Sequence, residues 1–170
     1  MLMEQLKVKS PKLKVHSGDK GFSKLNGKKL PKDNFIFEVI GTLDELSTLL
    51  GLARVIAKEN SNGIVRIQKD LGKIMAEVAC FGEEKLSTDD FKFLERITTE
   101  YEKKAGRMDK FLIPGQNEKE AVVNIVRAVC RRAERRVVAL GHQQKVSSLI
   151  LVYLNRLSLL LFYWAVILSK

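Results

Sequence analysis

The chain has 170 residues, 45% of them hydrophobic, with a formal net charge of +10 and a pI near 9.7. That length and apolar share suit one domain with a substantial core and exclude a disordered polyampholyte. The charge favours polyanionic partners, nucleotides or nucleic acids, without choosing between them.

Residues 1–35 are Lys-rich and aperiodic, and their first 32 positions carry only Glu4 and Asp19 as acids. They read as a basic N-terminal segment leading into a loop, with residues 36–170 forming a single helical domain. No secretory signal is visible, because the Lys-rich start lacks an apolar core. From about Glu38 to Lys58 the pattern turns helical, with Leu43, Leu46, Leu49, Leu50 and Ala53 on one face. Thr42 and Glu45 have the spacing of a capping box, although the helix has room to begin earlier. A second helix is predicted from about Ile64 to Phe81, carried by Ile64, Ile67, Leu71, Ile74, Met75 and Val78. Ser87 or Thr88 caps a third, which turns Phe91, Leu94, Ile97 and Tyr101 inward and Lys92, Glu95, Glu102 and Lys103 outward, and Gly106 ends it. A loop over Met108–Gln116 contains Phe111-Leu-Ile-Pro-Gly115. Asn117 caps a fourth helix, with Glu120 at the capping-box position and Gly141 as its close, and a fifth runs from about Ser147 to the C-terminus. No strand is predicted. The expected fold is all-α, an up-and-down five-helix bundle of ferritin-like type.

The fifth helix is long and apolar enough to raise a membrane span, but Asn155-Arg156 falls near its middle, where a charge in lipid is costly. The expectation is a central helix of a cytoplasmic protein, with no membrane. Cys80 and Cys130 sit singly in apolar patterns and are expected to be buried reduced thiols, while His16 and His142 are isolated, so no metal site is predicted.

Three polar constellations stand against this background. The loop Ser17-Gly-Asp-Lys-Gly-Phe-Ser23, continuing through Asn26-Gly-Lys-Lys29 to Lys32, offers glycines, hydroxyls and ammonium groups of the kind a polyphosphate needs, though a plain flexible turn has the same composition. It lacks Walker spacing. Asp44-Glu45 reads either as a charge pair near a helix start or, for Asp44, as the partner of an arginine on the fourth helix. The stretch from Arg127 to Arg136 holds five arginines and Glu134, with Arg127, Arg131, Glu134 and Arg135 along one face and Val126, Val129, Cys130, Ala133, Val137 and Leu140 over much of the rest. Guanidinium groups on a buried helix need fixed anionic partners, either acidic side chains or an anionic ligand.

These residues resemble the PduO-type ATP:cob(I)alamin adenosyltransferases. The resemblance runs from about Val15 to Phe162 through Ser17-Gly-Asp-Lys-Gly-Phe-Ser23, Pro31-Lys-Asp33, Gly41-Thr-Leu-Asp-Glu-Leu-Ser47, Phe111-Leu-Ile-Pro-Gly115, Arg127 to Val138, and Tyr153-Leu-Asn-Arg-Leu-Ser158. It implies a homotrimer of five-helix bundles with sites between subunits, moving the 5′-deoxyadenosyl group of ATP to cob(I)alamin and releasing triphosphate, with Mg²⁺ accompanying the ATP and a reductase as a possible partner. By resemblance Ser17, Gly18, Asp19, Gly21, Ser23, Lys32, Arg131, Arg132, Glu134 and Asn155 bind ATP, with Arg131 neutralising triphosphate charge. Arg127 and Asp44 match a salt bridge across the subunit boundary, and Phe111 matches the aromatic that displaces cobalamin's lower ligand.

The chain departs from the family pattern at Val15, His16 and Gln116, and at Leu159, where the family commonly carries Asp. Leu159 motivates an alternative, a catalytically weakened homologue that binds ATP or adenosylcobalamin as a sensor or delivery protein. A nucleic-acid binder is suggested by net charge alone, and no specific nucleic-acid partner is expected.

Overall fold

The computed structural model of the chain describes residue 16 and residues 18–58, 61–80, 85–107 and 113–170. It contains two short strands, β1 (Phe22–Leu25) and β2 (Lys28–Pro31), followed by five helices: α1 (Phe35–Ala57), α2 (Ser61–Val78), α3 (Thr88–Ala105), α4 (Glu118–Gly141) and α5 (Ser148–Leu168).

The hairpin overturns the expectation of no strand. β1 and β2 pair antiparallel in the register Phe22↔Pro31 to Leu25↔Lys28. The turn between them is Asn26-Gly27, with positive φ at both residues (46° and 75°). That two-residue turn matches the twist of a hairpin. Four-residue strands rich in lysine show too little alternation to be read directly, and the Asn-Gly dipeptide was the available signal.

Each helix start follows from a cap. Asn34 accepts from Ile36 N and opens α1 earlier than predicted. Thr42 is therefore mid-helix and buried, its hydroxyl donating to the Glu38 carbonyl at 2.7 Å, so Thr42 and Glu45 form no capping box. Ser87, rather than Thr88, caps α3 in a reciprocal box with Asp90. Ser147 caps α5. α2 stops at Val78, short of the predicted Phe81, and Cys80 follows in a left-handed conformation. Cys80 is exposed, contrary to the buried thiol expected there, whereas Cys130 is buried with Sγ 3.5 Å from the Leu154 carbonyl.

The helices pack in the spatial order α2, α1, α4, α5, α3, and α3 rests mainly on α5. Contacts along their lengths fix direction. Glu45 meets Arg132 while Thr42 meets Arg136, and Asn117 meets Leu168 while Glu134 meets Asn155, so α4 runs antiparallel to both α1 and α5. Glu95 meets Arg156 and Glu102 meets Tyr163, so α3 runs parallel to α5. These directions are those of an up-and-down bundle.

The core is continuous from Leu43, Leu46 and Leu50 on α1 through Val126, Cys130, Ala133 and Val137 on α4 to Tyr153, Leu154, Leu157 and Leu161 on α5. Burying each large apolar side chain of this set contributes roughly 1.5–3 kcal/mol. At the α3–α5 contact Tyr101 meets Trp164 edge to face, with ring centroids 6.5 Å apart. α5 is long and apolar enough to cross a membrane, but it is flanked by α4 and α3 and much of its surface is buried inside the bundle. Leu25 and Leu30 of the hairpin pack against the same core, and a cleft places them beside Ile36, Ala79 and Leu140. The hairpin thus covers the end of the bundle where α1 begins and α2 and α4 finish.

Candidate functional site

The loop before the hairpin is folded by its own polar groups. His16 N donates to Asp19 Oδ2 at 2.7 Å and Asp19 N donates to the His16 carbonyl at 3.1 Å, tying these two residues together. Gly21 has φ 74°, and its carbonyl accepts from Lys32 N at 2.8 Å. Lys32 Nζ lies so close to Gly18 that a Cβ there would stand 3.3 Å from it. Gly18, Asp19, Gly21 and Lys32 are thereby brought together. A cleft of about 440 Å³ opens beside them, lined by His16, Gly18, Lys20, Phe22, Ser23, Lys24 and Lys29. Lys29 Nζ sits 4.7 Å from the centre of the Phe22 ring, which holds one ammonium group at the wall. Ser17 lies outside the described residues.

On α4 the predicted arginine ridge is not sequestered within one chain. Arg131 and Arg135 are exposed, while Arg127, Arg132, Glu134 and Arg136 are half-buried. The helix buries only its apolar stripe, so the cationic face is open. Among the described residues Arg131 makes no ion pair or hydrogen bond. Arg127 Nε donates to Asn124 Oδ1 at 3.0 Å. Asn155 Nδ2 on α5 donates to Glu134 Oε1 at 3.1 Å, so these two predicted residues meet and fix each other's orientation. Arg156 turns the other way and pairs with Glu95 of α3 at 2.9 Å.

Within one chain the pairing of α1 with α4 is carried by Glu45, Glu38 and Thr42. Asp44 is exposed and, among the described residues, pairs with no arginine of its own chain. Glu45 instead binds Arg132, and Arg136 binds both Glu38 and Thr42. Glu38, Thr42 and Glu45 recur at spacings of four and three on α1, facing Arg136 and Arg132 four apart on the antiparallel helix. That complementary spacing was present in the sequence and was missed. Arg132 Nε is shielded from solvent and has no acceptor among the described residues.

Phe111 lies outside the described residues. Gly115 and Gln116 are held by Glu120, which departs from its predicted capping role. Asn117 Oδ1 accepts from Glu120 N at 3.0 Å, but the Glu120 carboxylate accepts from Gly115 N and Gln116 N rather than returning to Asn117. A second, larger cleft of about 820 Å³ lies along α2 between Arg66, Lys69, Asp70, Lys73 and Asp90, and none of the predicted site residues that are described lines it.

Among the described residues no hydrogen bond or ion pair joins the loop of residues 16–33 to the arginines of α4. One chain therefore presents two separate sets of groups suited to anions: the lysine-lined loop and the exposed Arg131 face.

A model of the cobalamin adenosyltransferase family matches residues 13–168, which takes in the loop, the hairpin and all five helices. The chain belongs to that family. It is 35% identical over 156 residues to a corrinoid adenosyltransferase of Bacillus subtilis (strain 168), covering 86% of this chain and 81% of the relative. A corrinoid adenosyltransferase of Mus musculus is 34% identical over 169 residues, covering 91% and 71%. In fold, the chain is similar to a variant of the PduO-type ATP:corrinoid adenosyltransferase from Lactobacillus reuteri complexed with cobalamin and ATP. There the TM-score is 0.82 at 24% identity, over 90% of this chain and 91% of that one.

Proposed function

We propose that the chain transfers the 5′-deoxyadenosyl group of ATP to cob(I)alamin, giving adenosylcobalamin and triphosphate, in homotrimers whose sites lie between subunits. The observation that carries this reading is the family match over residues 13–168, which joins the phosphate-type loop to α1, α4 and α5 in one pattern. The separation of the loop from the Arg131 face within one chain supports a site completed by a neighbour. Leu52 and Val55 on α1, Ile125 and Val138 on α4 and Val152 on α5 are exposed apolar residues on the three helices that also carry Asp44, Arg131 and Asn155, which supports burial of this face against another copy.

The chemistry asks little of the protein in nucleophile activation. Cobalt(I) supplies an electron pair to C5′ of the ribose, the Co–C bond forms, and the C5′–O5′ bond breaks with its electrons leaving on triphosphate. What accelerates this step is alignment of C5′ with cobalt and stabilisation of charge developing on the leaving oxygens. Gly18, Asp19, Gly21, Ser23 and Lys32, together with Ser17, cradle the phosphates in this reading. Arg131 neutralises the departing triphosphate, and Arg132, Glu134 and Asn155 line the nucleoside. Mg²⁺ enters with ATP as part of the substrate complex. Arg127 binds Asp44 of the neighbouring subunit, and Phe111 acts on the lower face of the corrin.

The test is turnover: reduced cobalamin and MgATP are mixed with the protein and the absorbance of the Co–C product is followed. Product well above an Arg131→Ala control supports transfer, and none above that control removes it. A second reading is favoured by Leu159, half-buried one turn beyond Asn155 on α5. In it the chain binds ATP or adenosylcobalamin without turnover. Tight cofactor binding with no triphosphate release distinguishes this from the enzyme.

A further inference from the structure

Glu120 is 1% exposed, yet it carries a carboxylate. A group so buried costs several kcal/mol of desolvation unless donors surround it. Its donors are specific. Oε2 accepts the backbone N–H groups of Gly115 at 2.7 Å and Gln116 at 3.0 Å, and Oε1 accepts the side-chain amide of Asn124. Asn124 Oδ1 in turn accepts from Arg127 Nε at 3.0 Å. An unbroken run of hydrogen bonds thus leads from the backbone at 115–116, through one turn of α4 after another, to Arg127.

Capping does not explain this arrangement, because Asn117 already caps α4. Satisfaction of the loop does not explain it either. Gly115 and Gln116 are exposed residues, and N–H groups of such surface segments can bond water instead. What the carboxylate adds is a fixed position for a surface segment, since Gly115 is held at φ 104° with its N–H toward Glu120. Gly115 lies four residues after Phe111, and Arg127 lies one turn before Arg131 on the same helix.

We infer that Glu120 is a positioning residue for the transfer, holding the backbone of Gly115 and Gln116 in fixed register with Arg127 through Asn124. The inference rests on the adenosyltransferase reading. It couples Arg127, proposed to lie at the subunit boundary, to the backbone at Gly115 and Gln116: a shift of α4 at Arg127 is passed to that backbone, and the reverse. The side chain touches neither reacting atom.

The test compares Glu120→Gln, Glu120→Ala and Asn124→Ala with the unaltered protein. Three quantities are read: kcat, KM for ATP, and the fraction of bound cob(II)alamin that becomes four-coordinate when MgATP is present. Glu120→Ala is expected to lower kcat and the four-coordinate fraction together by about tenfold or more, as misplacement of an aligned group does. KM for ATP stays within about threefold, because ground-state nucleotide contacts are untouched. Glu120→Gln, which keeps a carbonyl acceptor for the loop, restores much of the loss. If Glu120→Ala does not fold, Asn124→Ala carries the comparison, with Glu120→Gln as the conservative control. Wild-type kcat and wild-type four-coordinate fraction in Glu120→Ala, or in Asn124→Ala if Glu120→Ala does not fold, would overturn the inference. Amide exchange at Gly115 and Gln116 gives a readout independent of turnover: it accelerates in Glu120→Ala, or in Asn124→Ala, if the anchor is real, and unchanged exchange contradicts it. A wild-type protein with no turnover but normal anchoring would sink the functional reading alone.

Discussion

Tyr153 on α5 donates its hydroxyl hydrogen to Asp70 on α2 over 2.8 Å, although α2 and α5 stand at non-adjacent places in the bundle. Both residues are buried. Burial pushes the Asp70 carboxyl above the usual carboxylate range, with the Tyr153 hydrogen bond opposing that shift and nearby Asp90 adding to it. Burial and the same carboxylate also hold the Tyr153 hydroxyl in its neutral, donating form. Tyr153→Phe leaves a buried carboxylate without this donor and is expected to cost about 1–3 kcal/mol in chemical denaturation. A variant as stable as the parent would show that the bond contributes nothing net.

The sign of the pH effect follows. A carboxyl whose folded pKa is raised contributes most below its unfolded value, about 3.9, and that contribution is lost as pH rises through the folded value. Asp70→Asn removes this term. Its stability should decline less than the parent's between about pH 4 and neutrality, measured as denaturation midpoints across that range. Parallel pH profiles for the two proteins would contradict the assignment.

Asp90 behaves in the opposite sense. Burial alone would raise its carboxyl, but the Ser87 backbone N–H, the Ser87 hydroxyl and Lys73 together bring it below the usual range. Lys73 Nζ is 3.1 Å away and Arg66 3.7 Å. This group stabilises the fold above about pH 3.9 and loses that contribution as pH falls through its lower folded value. Asp90→Asn is expected to destabilise by about 1–2 kcal/mol at neutral pH, through the weakened cap and the lost ion pairs, and to flatten the acid limb. An acid limb as steep as the parent's would refute it.

Glu45 and Arg132 separate stability from function. Both side chains are 40% or more exposed, so their ion pair contributes under about 1 kcal/mol. Glu45→Ala should leave the melting temperature nearly unchanged. Because it frees a guanidinium proposed to line the nucleoside, it should alter KM for ATP more than kcat. Equal falls in kcat and kcat/KM with KM constant would instead place Glu45 in transition-state stabilisation.

Asp44 is exposed in the single chain, and its proposed partner is Arg127 of a neighbouring subunit. Asp44→Ala is therefore expected to weaken assembly and activity together while leaving the helix content intact. Sedimentation at several concentrations checks this. A single-subunit mass for the unaltered protein with full activity would remove the inter-subunit site.

The helices were legible because their determinants are local. Asn117, Ser87 and Ser147 cap helices whose apolar residues recur at helical spacing, and Gly106 closes α3. What was hidden depends on partners distant in sequence or on strands too short for a pattern. The hairpin declared itself only through Asn26-Gly27. Asp44 and Glu45 are adjacent, and sequence alone could not say which of them faces Arg132, because that depends on the rotation of α1 against α4. The openness of Arg131 was obscured for a related reason: five arginines on an apolar helix suggest burial, yet 3.6-residue periodicity lets one stripe be buried while another stays in solvent. The Glu120 anchor was invisible because its acceptors' partners are backbone N–H groups, which every loop offers.

The adenosyl-transfer reading is tested most directly by product stoichiometry in one vessel. With cob(I)alamin and MgATP supplied to the purified protein, adenosylcobalamin and inorganic triphosphate should accumulate in equal amounts, and Arg131→Ala should suppress both by about a hundredfold or more. Triphosphate or diphosphate released without a matching Co–C product, or neither product above the Arg131→Ala level, would contradict it.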